Sequence, residues 1–287
     1  MTSSVPGRST LADLRSRIAA LEGRLPHEAQ LAPGPASAAH GRGPARLRTG
    51  VARFDRLFAA PGLPCGALHE LTSAESRHGG ALTGFATALL ARLCAQRDGD
   101  VVWVSEPECR RETGGPHADG LARFGIDPAR LILVRARRIE EVLWAAEEGL
   151  RARALAAVVA EVRGAPRVLD LTASRRLHLR SEEGGVSAFL LRHADGAAPT
   201  AAVMRARIAP RASIGAGDSR FAPLGRPAWR VDVERNRDGR PGLVELEWDH
   251  ATQHFAAPAD RQPVVSGACD RPPGAAGAGR VVAFARG

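Results

Sequence analysis

The chain has 287 residues, of which 44% are hydrophobic, and it carries a formal net charge of +9. This length suits one sizeable domain with extensions, and the apolar content is sufficient to bury a core. No apolar run approaches the roughly 18 residues of a membrane-spanning helix, and the N-terminus lacks the apolar stretch of a signal peptide. We therefore expect a cytoplasmic protein that makes no membrane contact.

Every basic residue counted in the charge is an arginine, because the sequence contains no lysine. Arginine keeps its charge at all physiological pH values, so the excess charge fits contact with nucleic acid or with an acidic protein. A GC-rich genome that favours arginine codons explains the same composition, and both explanations stay open.

The cysteines and histidines show no spacing that is typical of a metal site. The cysteines are scattered without a C-x-x-C pair, at Cys65, Cys94, Cys109 and Cys269. His250 and His254 are four residues apart, but no second pair of ligands accompanies them. We therefore expect free thiols and no metal site.

The first segment, residues 1–26, is predicted to form an amphipathic helix. Its apolar residues recur at alternating spacings of three and four, at Leu11, Leu14, Ile18, Leu21 and Leu25. Two heptads are too short for an independent coiled coil, so the stripe must cover its own core, another copy or another protein. Because a Pro/Ala/Gly-rich linker follows at residues 27–46, we favour docking on a partner or self-association.

The core domain, residues 47–250, alternates predicted strands with predicted helices. The strands are expected at residues 67–71, 101–105, 131–134, 156–162, 187–192 and 202–208, and the helices at 81–96, 117–124, 139–155 and 165–179. The strands read as continuous apolar runs, which is typical of strands buried on both faces. This predicts an α/β fold with a mostly parallel sheet flanked by helices.

The end of the core has a different pattern. Residues 229–248 form two alternating strands around a turn at 236–242, which predicts an antiparallel β-hairpin at one edge of the sheet. The tail, residues 251–287, is rich in Pro, Gly and Ala and is expected to be flexible. Its apolar patch at Val281–Ala285 is either a peptide ligand for another protein or a last edge strand.

Residues 49–84 read as strand, turn, strand, glycine-rich loop and helix, which is the frame of a phosphate-binding loop. Such a loop cradles phosphate with backbone N–H groups, and uses a lysine and a Ser/Thr hydroxyl for the terminal phosphates and magnesium. The loop here, ESRHGGA at 75–81, keeps glycines but has no lysine. The backbone cradle can survive while both side-chain functions are lost.

The segments TGVARFDRLF (49–58) and GLPCGALHEL (62–71) resemble the opening of the RecA core. The order and spacing of later segments agree with that core over roughly Leu47–Asp249. Within this superfamily the chain resembles the ImuA family through HELTSAESRHGGALTGFA (69–86), VVWVSEPE (101–108) and the leading helix LADLRSRIAALEG (11–23). The resemblance implies a RecA-like core fold.

The resemblance to the ImuA family also implies a function. It implies an accessory protein of SOS-induced, error-prone translesion DNA synthesis that binds ImuB, with RecA and the error-prone replicative-type polymerase as further candidate partners. It implies association with the nucleoid during DNA damage. The loop without a lysine predicts a non-catalytic or weakly nucleotide-binding protein. Two alternatives stay open: a DNA-dependent ATPase with atypical ligands, and a regulator of RecA filaments.

The same resemblance places a degenerate nucleotide site on six residues. These are Ser76, Arg77, His78, Gly79 and Gly80 in the loop and Glu161 at the Walker B position, with Gly79 where the lysine would stand. The catalytic glutamate of RecA maps to Glu106 or Glu108, and His193 maps near a glutamine that senses the γ-phosphate. We expect no catalytic residue and no required cofactor, and ATP with magnesium stays open as a weak ligand.

Contact with DNA has a separate basis in the arginine groups. The segment that corresponds to the second DNA loop of RecA, residues 194–200, is short and nearly uncharged. Four arginine groups could bind phosphates, at Arg135, Arg137 and Arg138, at Arg151 and Arg153, at Arg175, Arg176 and Arg180, and at Arg205, Arg207 and Arg211. Helical spacing in the third group is equally typical of a solvated face, and the absence of tyrosine leaves base stacking unsupported.

Overall fold

A computed structural model describes residues 45–194, 198–213 and 225–258. The helix predicted for residues 1–26, most of the linker and the apolar patch at Val281–Ala285 lie outside the described residues. Among the described helices, none combines the length and the apolar character needed to cross a membrane.

The described chain alternates strands and helices in the predicted order. Its strands are β1 (Arg46–Leu47), β2 (Leu63–Pro64), β3 (Leu68–Thr72), β4 (Val101–Ser105), β5 (Leu131–Arg135), β6 (Ala157–Arg163), β7 (Ser187–His193), β8 (Met204–Pro210), β9 (Ala228–Asn236), β10 (Gly242–Asp249) and β11 (His254–Ala256). Its α-helices are α1 (Ala52–Asp55), α2 (Gly79–Cys94), α3 (Pro107–Thr113), α4 (Ala118–Phe124), α5 (Ile139–Arg151) and α6 (Leu171–Gly184).

The main sheet has nine strands in the order β11-β10-β9-β8-β3-β7-β6-β4-β5. Every pair from β8 through β3 to β5 is parallel, whereas β8 to β11 pair antiparallel. The hairpin β9–β10 forms as predicted, and β11 extends it by one short strand that the sequence pattern did not indicate. The arrangement confirms the predicted α/β class and agrees with a RecA-like core.

Two apolar layers cover the two faces of this sheet. One layer packs α2 and α4 against Trp103, Val159 and their neighbours. The other packs α5 and α6 against Val102, Val158 and their neighbours. Successive residues of β4 and β6 therefore enter opposite cores, which explains why these strands read as continuous apolar runs.

The segment before the sheet is fixed by one buried carboxylate. Asp55 Oδ1 accepts hydrogen bonds from the backbone N–H of Thr49 (3.0 Å) and from its hydroxyl (2.8 Å). Asp55 Oδ2 accepts from the N–H of Gly50 at 3.1 Å. The motif TGVARFD therefore folds into a closed turn in which the aspartate satisfies the backbone groups of the Thr-Gly pair.

Two details of the predicted elements are corrected by the structure. The run at 131–134 was expected to be a buried strand, but β5 is the edge of the sheet, and Ile132 and Leu133 are 45% and 47% exposed. The helix expected at 165–179 begins later, because Asp170 caps α6 by accepting from the N–H of Ala173 at 2.7 Å. It ends at Gly184, and the next residue, Gly185, has the left-handed backbone conformation that is common after a helix.

Candidate functional site

The loop predicted to bind phosphate leads directly into a helix. Ser76–His78 form one 3-10 turn, and α2 begins at Gly79, so the loop presents the N-terminus of a long helix as a phosphate site requires. Arg77 does not point at this N-terminus: it pairs with Glu75 at 2.6 Å on the surface, with 77% of its side chain exposed. His78 is partly buried, and its Nδ1 atom has no hydrogen-bond partner among the described residues.

Gly79 occupies the position of the lysine, and the space beside it is filled. A Cβ atom built on Gly79 would overlap the Cγ2 methyl of Thr113 and would lie 3.2 Å from both Thr113 Cβ and His193 Nδ1. Thr113 is fixed at the end of α3, where its hydroxyl donates to the carbonyl of Cys109 at 2.8 Å. A side chain at position 79 therefore requires the end of α3 to move.

Glu161, at the Walker B position, is buried and has both carboxylate oxygens engaged. Its Oε1 lies 2.7 Å from Nε2 of His193, and its Oε2 accepts from the indole N–H of Trp103 at 3.0 Å. Glu161 is 2% exposed and His193 is 1% exposed. The three side chains join the middle of β4 to β6 and to the end of β7.

Of the two residues that could be the catalytic glutamate, Glu106 is the buried one. Its Oε1 accepts from the backbone N–H of Arg163 and from the thiol of Cys109, the latter at 3.6 Å. Burial raises the pKa of Glu106, and burial together with the nearby carboxylates of Glu161 and Glu106 raises the pKa of Cys109. Cys109 is therefore a protonated structural thiol, and Glu106 anchors the start of α3 on β6.

These residues do not match what a magnesium nucleotide needs. The position of the lysine is closed by Thr113, positions 80 and 81 carry no hydroxyl, and the oxygens of Glu161 are bonded to protein groups. The loop does keep its helix N-terminus, so binding of a phosphate by backbone groups alone stays a prediction. Among the described residues no group of three or more His, Cys, Asp or Glu side chains could hold a metal ion.

A cleft of about 210 Å³ lies beside this site, and we call it the α2–α4 cleft. One wall is the first half of α2 and the other is the segment from Thr113 to Phe124, with Glu161 at the bottom. Five of the residues that line it are glycines, at Gly80, Gly84, Gly114, Gly115 and Gly120. Of the predicted site residues, Gly80 and Glu161 line the cleft, whereas Ser76, Arg77, His78 and Gly79 do not.

A second buried carboxylate lies on the neighbouring strand, and the sequence analysis did not identify it. Glu70 on β3 is fully buried; its Oε1 lies 2.7 Å from Nε of Arg192 and accepts from Nη2 of Arg205 at 3.0 Å. Arg192 is also fully buried, whereas the side chain of Arg205 is 16% exposed. This arginine–glutamate–arginine cluster joins β7, β3 and β8 across the middle of the sheet.

The arginine groups proposed as a phosphate surface are largely neutralised by carboxylates. In the fourth group Arg205 turns inward to Glu70, Arg207 pairs with Glu234, and Arg211 lies 3.2 Å from Glu245. In the other groups, four pairs lie along helices α5 and α6 or at their ends: Arg138 with Glu141, Arg151 with Glu148, Arg176 with Glu147, and Arg180 with Glu183. Seven of the eleven arginines in the four groups therefore pair with a carboxylate, and contact with DNA stays a prediction.

Trp103 and Thr113 were missed by the sequence analysis, although Trp103 carried a usable signal. A tryptophan in the middle of a buried parallel strand needs an acceptor for its indole N–H. The adjacent buried strand contains one carboxylate, Glu161. Thr113 has no comparable signal, because its closeness to Gly79 depends on how α3 returns towards the loop.

Comparison with known proteins identifies the family of the chain. The chain is 38% identical over 249 residues to Protein ImuA of Caulobacter vibrioides, in strain NA1000 / CB15N and equally in strain ATCC 19089 / CIP 103742 / CB 15. The match covers 82% of this chain and 94% of each relative. No family model matches the chain. At this identity and coverage, the chain belongs to the ImuA family.

Proposed function

We propose that this protein is a RecA-like accessory protein of damage-inducible, error-prone translesion DNA synthesis. In this proposal it works by binding other proteins, ImuB first and RecA or the error-prone polymerase second. The membership of the ImuA family gives the biological setting. One observation supports this mode of action: both carboxylate oxygens of Glu161, at the Walker B position, are already bonded to His193 and Trp103.

A role as a scaffold requires the shape of the domain but none of the phosphate chemistry. The side chains at the former nucleotide site support such a role, because they stabilise the loop and the ends of the strands without a ligand. The closed position beside Gly79 adds to this support, since the loop has no room for a cationic side chain of its own. In this proposal, the affinity of the protein for its partner does not depend on the nucleotide concentration.

The proposal is tested by co-purification with ImuB in the presence and absence of ATP and magnesium. We expect a stoichiometric complex whose dissociation constant changes less than twofold with nucleotide. A complex that forms only with ATP would contradict the scaffold role. Folded protein that fails to bind folded ImuB under both conditions would remove ImuB as the partner.

The alternative of an ATPase is tested on the same protein with a pair of variants. Gly79→Lys restores the missing residue type but meets Thr113, whereas Gly79→Lys with Thr113→Ala also removes the obstructing methyl. We expect ATP binding to be weakest in the wild type and in the single variant, and to be strongest in the double variant. Turnover by the wild type that is stimulated by single-stranded DNA and lost on Glu161→Ala would establish the ATPase instead.

A further inference from the structure

We propose that four arginines at one corner of the core domain bind the phosphate backbone of DNA without reading its sequence. The four are Arg48, Arg53, Arg56 and Arg240, and we call them the arginine corner. None of them belongs to the four arginine groups discussed above, and none lies in residues 194–200, which correspond to the second DNA loop of RecA. The inference goes beyond the proposed function, which requires protein partners only.

Two segments from opposite ends of the core domain form this corner. Residues 46–62 carry the first three arginines, and the turn between β9 and β10 carries Arg240. The N–H of Arg240 donates to the carbonyl of Leu57 at 2.8 Å, so Arg240 lies beside the residue that follows Arg56. A Cβ built on Gly239 would overlap the same carbonyl, and glycine therefore permits this close approach of the two segments.

The solvent-facing side of α1 carries two of the arginines. Arg53 and Arg56 are three residues apart, so they lie on the same face of the helical turn, and both are exposed. Phe54 and Asp55, which stand between them in the sequence, are buried. The backbone of this turn is therefore fixed by the core, while the two guanidinium groups lie in solvent.

The acidic residues of the two segments are already bound by other groups. Residues 46–62 and 236–242 contain six arginines but only two acidic residues. Asp55 uses both carboxylate oxygens on N–H and hydroxyl groups of its own turn, and Asp238 pairs with Arg46. Neither carboxylate is available to neutralise the arginine corner, so the corner keeps a local excess of positive charge.

The four guanidinium groups of the corner have no partner among the described residues. None of them donates a hydrogen bond to, or pairs with, a group in that part of the chain. The groups discussed above differ, because seven of their eleven arginines pair with a carboxylate. A guanidinium group binds phosphate through parallel N–H donors, and all the side-chain donors of the corner are free for this contact.

The surroundings of the corner favour a phosphate backbone over a protein. Protein interfaces have an apolar and aromatic centre, but residues 46–62 and 236–242 expose no large hydrophobic side chain. One exposed leucine, Leu243, follows the turn, and single residues of this kind are ordinary on a surface. The two aromatic residues of the segments, Phe54 and Phe58, are buried and cannot stack on bases. The contact is therefore to phosphates alone, which carry no sequence information.

The test combines Arg53→Gln with Arg56→Gln in the full-length protein. The matched control combines Arg135→Gln with Arg175→Gln, which removes the same charge from two exposed arginines that lie outside the corner and pair with no carboxylate among the described residues. All four positions are exposed, so both proteins are expected to fold, as circular dichroism can check. Fluorescence anisotropy measures binding to fluorescein-labelled single-stranded and duplex DNA over a series of salt concentrations.

We expect the control to bind each form of DNA as tightly as the wild type does. The corner variant is expected to bind about tenfold more weakly at about 100 mM salt, because two phosphate contacts are lost. The slope of log affinity against log salt concentration should become shallower by about 1.8 for the duplex and about 1.4 for the single strand. Its affinity for ImuB, measured by calorimetry, should not change.

A second variant makes the test independent of α1. Arg48→Gln combined with Arg240→Gln removes the other two arginines of the corner, one from each segment, and is expected to give the same loss. It replaces the first variant if that protein does not fold.

Three results would overturn the proposal, and each leaves the proposed function standing. The first is a wild type that binds neither form of DNA at about 50 mM salt. The second is an equal loss of DNA affinity in the control, which would show that net charge and not this corner determines binding. The third is a corner variant that keeps its DNA affinity but loses ImuB, which would assign the corner to an acidic protein surface. Failure of the wild type to bind ImuB would instead contradict the proposed function and would not affect the DNA measurement.

Discussion

Two glutamates are buried in the same sheet, and their surroundings are opposite in character. Glu70 lies between two guanidinium groups, those of Arg192 and Arg205, which keep their charge at every pH at which the protein folds. Glu161 lies between the imidazole of His193 and the indole of Trp103. Glu70 therefore belongs to a cluster with two permanently charged partners. Glu161 belongs to a hydrogen-bonded set in which His193 is the only partner that can carry a charge.

The difference separates a cluster that supports the fold from a set at the predicted nucleotide site. Removing one partner of a buried ion pair leaves an uncompensated charge, so the cluster at Glu70 holds the centre of the sheet together. The partners of Glu161 are an imidazole and an indole instead of two guanidinium groups. We therefore expect the two glutamates to respond very differently to the same substitution.

The largest effect is expected for Glu70→Gln. The amide keeps the shape of the side chain but leaves the charges of Arg192 and Arg205 without their carboxylate. Breaking a buried ion pair in this way costs about 3–5 kcal/mol of unfolding free energy. Urea unfolding followed by circular dichroism measures it, and a loss below about 1 kcal/mol would show that solvent reaches the cluster.

The second largest effect is a loss of stability at acid pH that comes from His69, the residue before Glu70. The neighbouring residue on β3, His69, is fully buried, and burial lowers its pKa to about 4 from 6.5. Between pH 6.5 and pH 4, His69 binds a proton in the unfolded chain but not in the folded protein. The free energy of unfolding therefore falls as the pH drops from 6.5 to 4. The expected loss is about 3 kcal/mol across that window.

The control for this acid sensitivity is His69→Gln. Nε2 of His69 lies 2.7 Å from the carbonyl of Pro64, and a glutamine amide can donate a similar hydrogen bond without titrating. Unfolding free energies measured at pH 7, 5.5 and 4 should decline less steeply for the variant. Identical pH profiles for the two proteins would mean that the pKa of His69 is the same in the folded and the unfolded protein.

The third effect is the loss of stability that a side chain at position 79 causes. Gly79→Ala places a methyl against Thr113 and near His193, and overpacking of this kind costs about 1–3 kcal/mol. Thr113→Ala should recover most of the loss, because it removes the Cγ2 atom that the new methyl meets. The double-mutant cycle is measured by urea unfolding, and additive effects would show that the two positions do not touch.

The smallest effect is expected for Glu161→Gln, which should lower the free energy of unfolding by about 1 kcal/mol. The amide oxygen can still accept from Trp103, and a ring nitrogen of His193 can accept from the amide N–H₂. The comparison with Glu70→Gln is the direct test, since the chemical change is the same. Equal losses at the two positions would show that His193 is a fixed cation like the arginines.

The sequence predicted the order of the elements well, and the fold class with it. The hairpin β9–β10 and the phosphate-loop frame before α2 followed from local patterns of alternation and glycine. Such patterns do not predict the position of a strand in the sheet. Both β4 and β5 are continuous apolar runs, but β4 lies inside the sheet and β5 lies at its edge. Strand order depends on the path of the crossovers, which a run of five residues does not encode.

The elements that carry Gly79 and Glu161 could be predicted, whereas the contacts of these residues could not. Gly79 lies at the start of the helix that follows the predicted loop, and Glu161 lies on the predicted strand β6. Their partners could not be predicted, because Thr113 and His193 come from segments more than 30 residues away from them. Pairing of this kind arises only when the ends of parallel strands meet at one edge of the sheet.

The contact between Gly79 and Thr113 also determines which substitutions the loop accepts one at a time. A lysine introduced at position 79 meets the methyl of Thr113, so this substitution alone gives a strained structure. Removing the methyl alone leaves a gap with nothing to fill it. Each step is disfavoured alone, so the two positions are coupled: a larger residue at position 79 requires a smaller one at position 113.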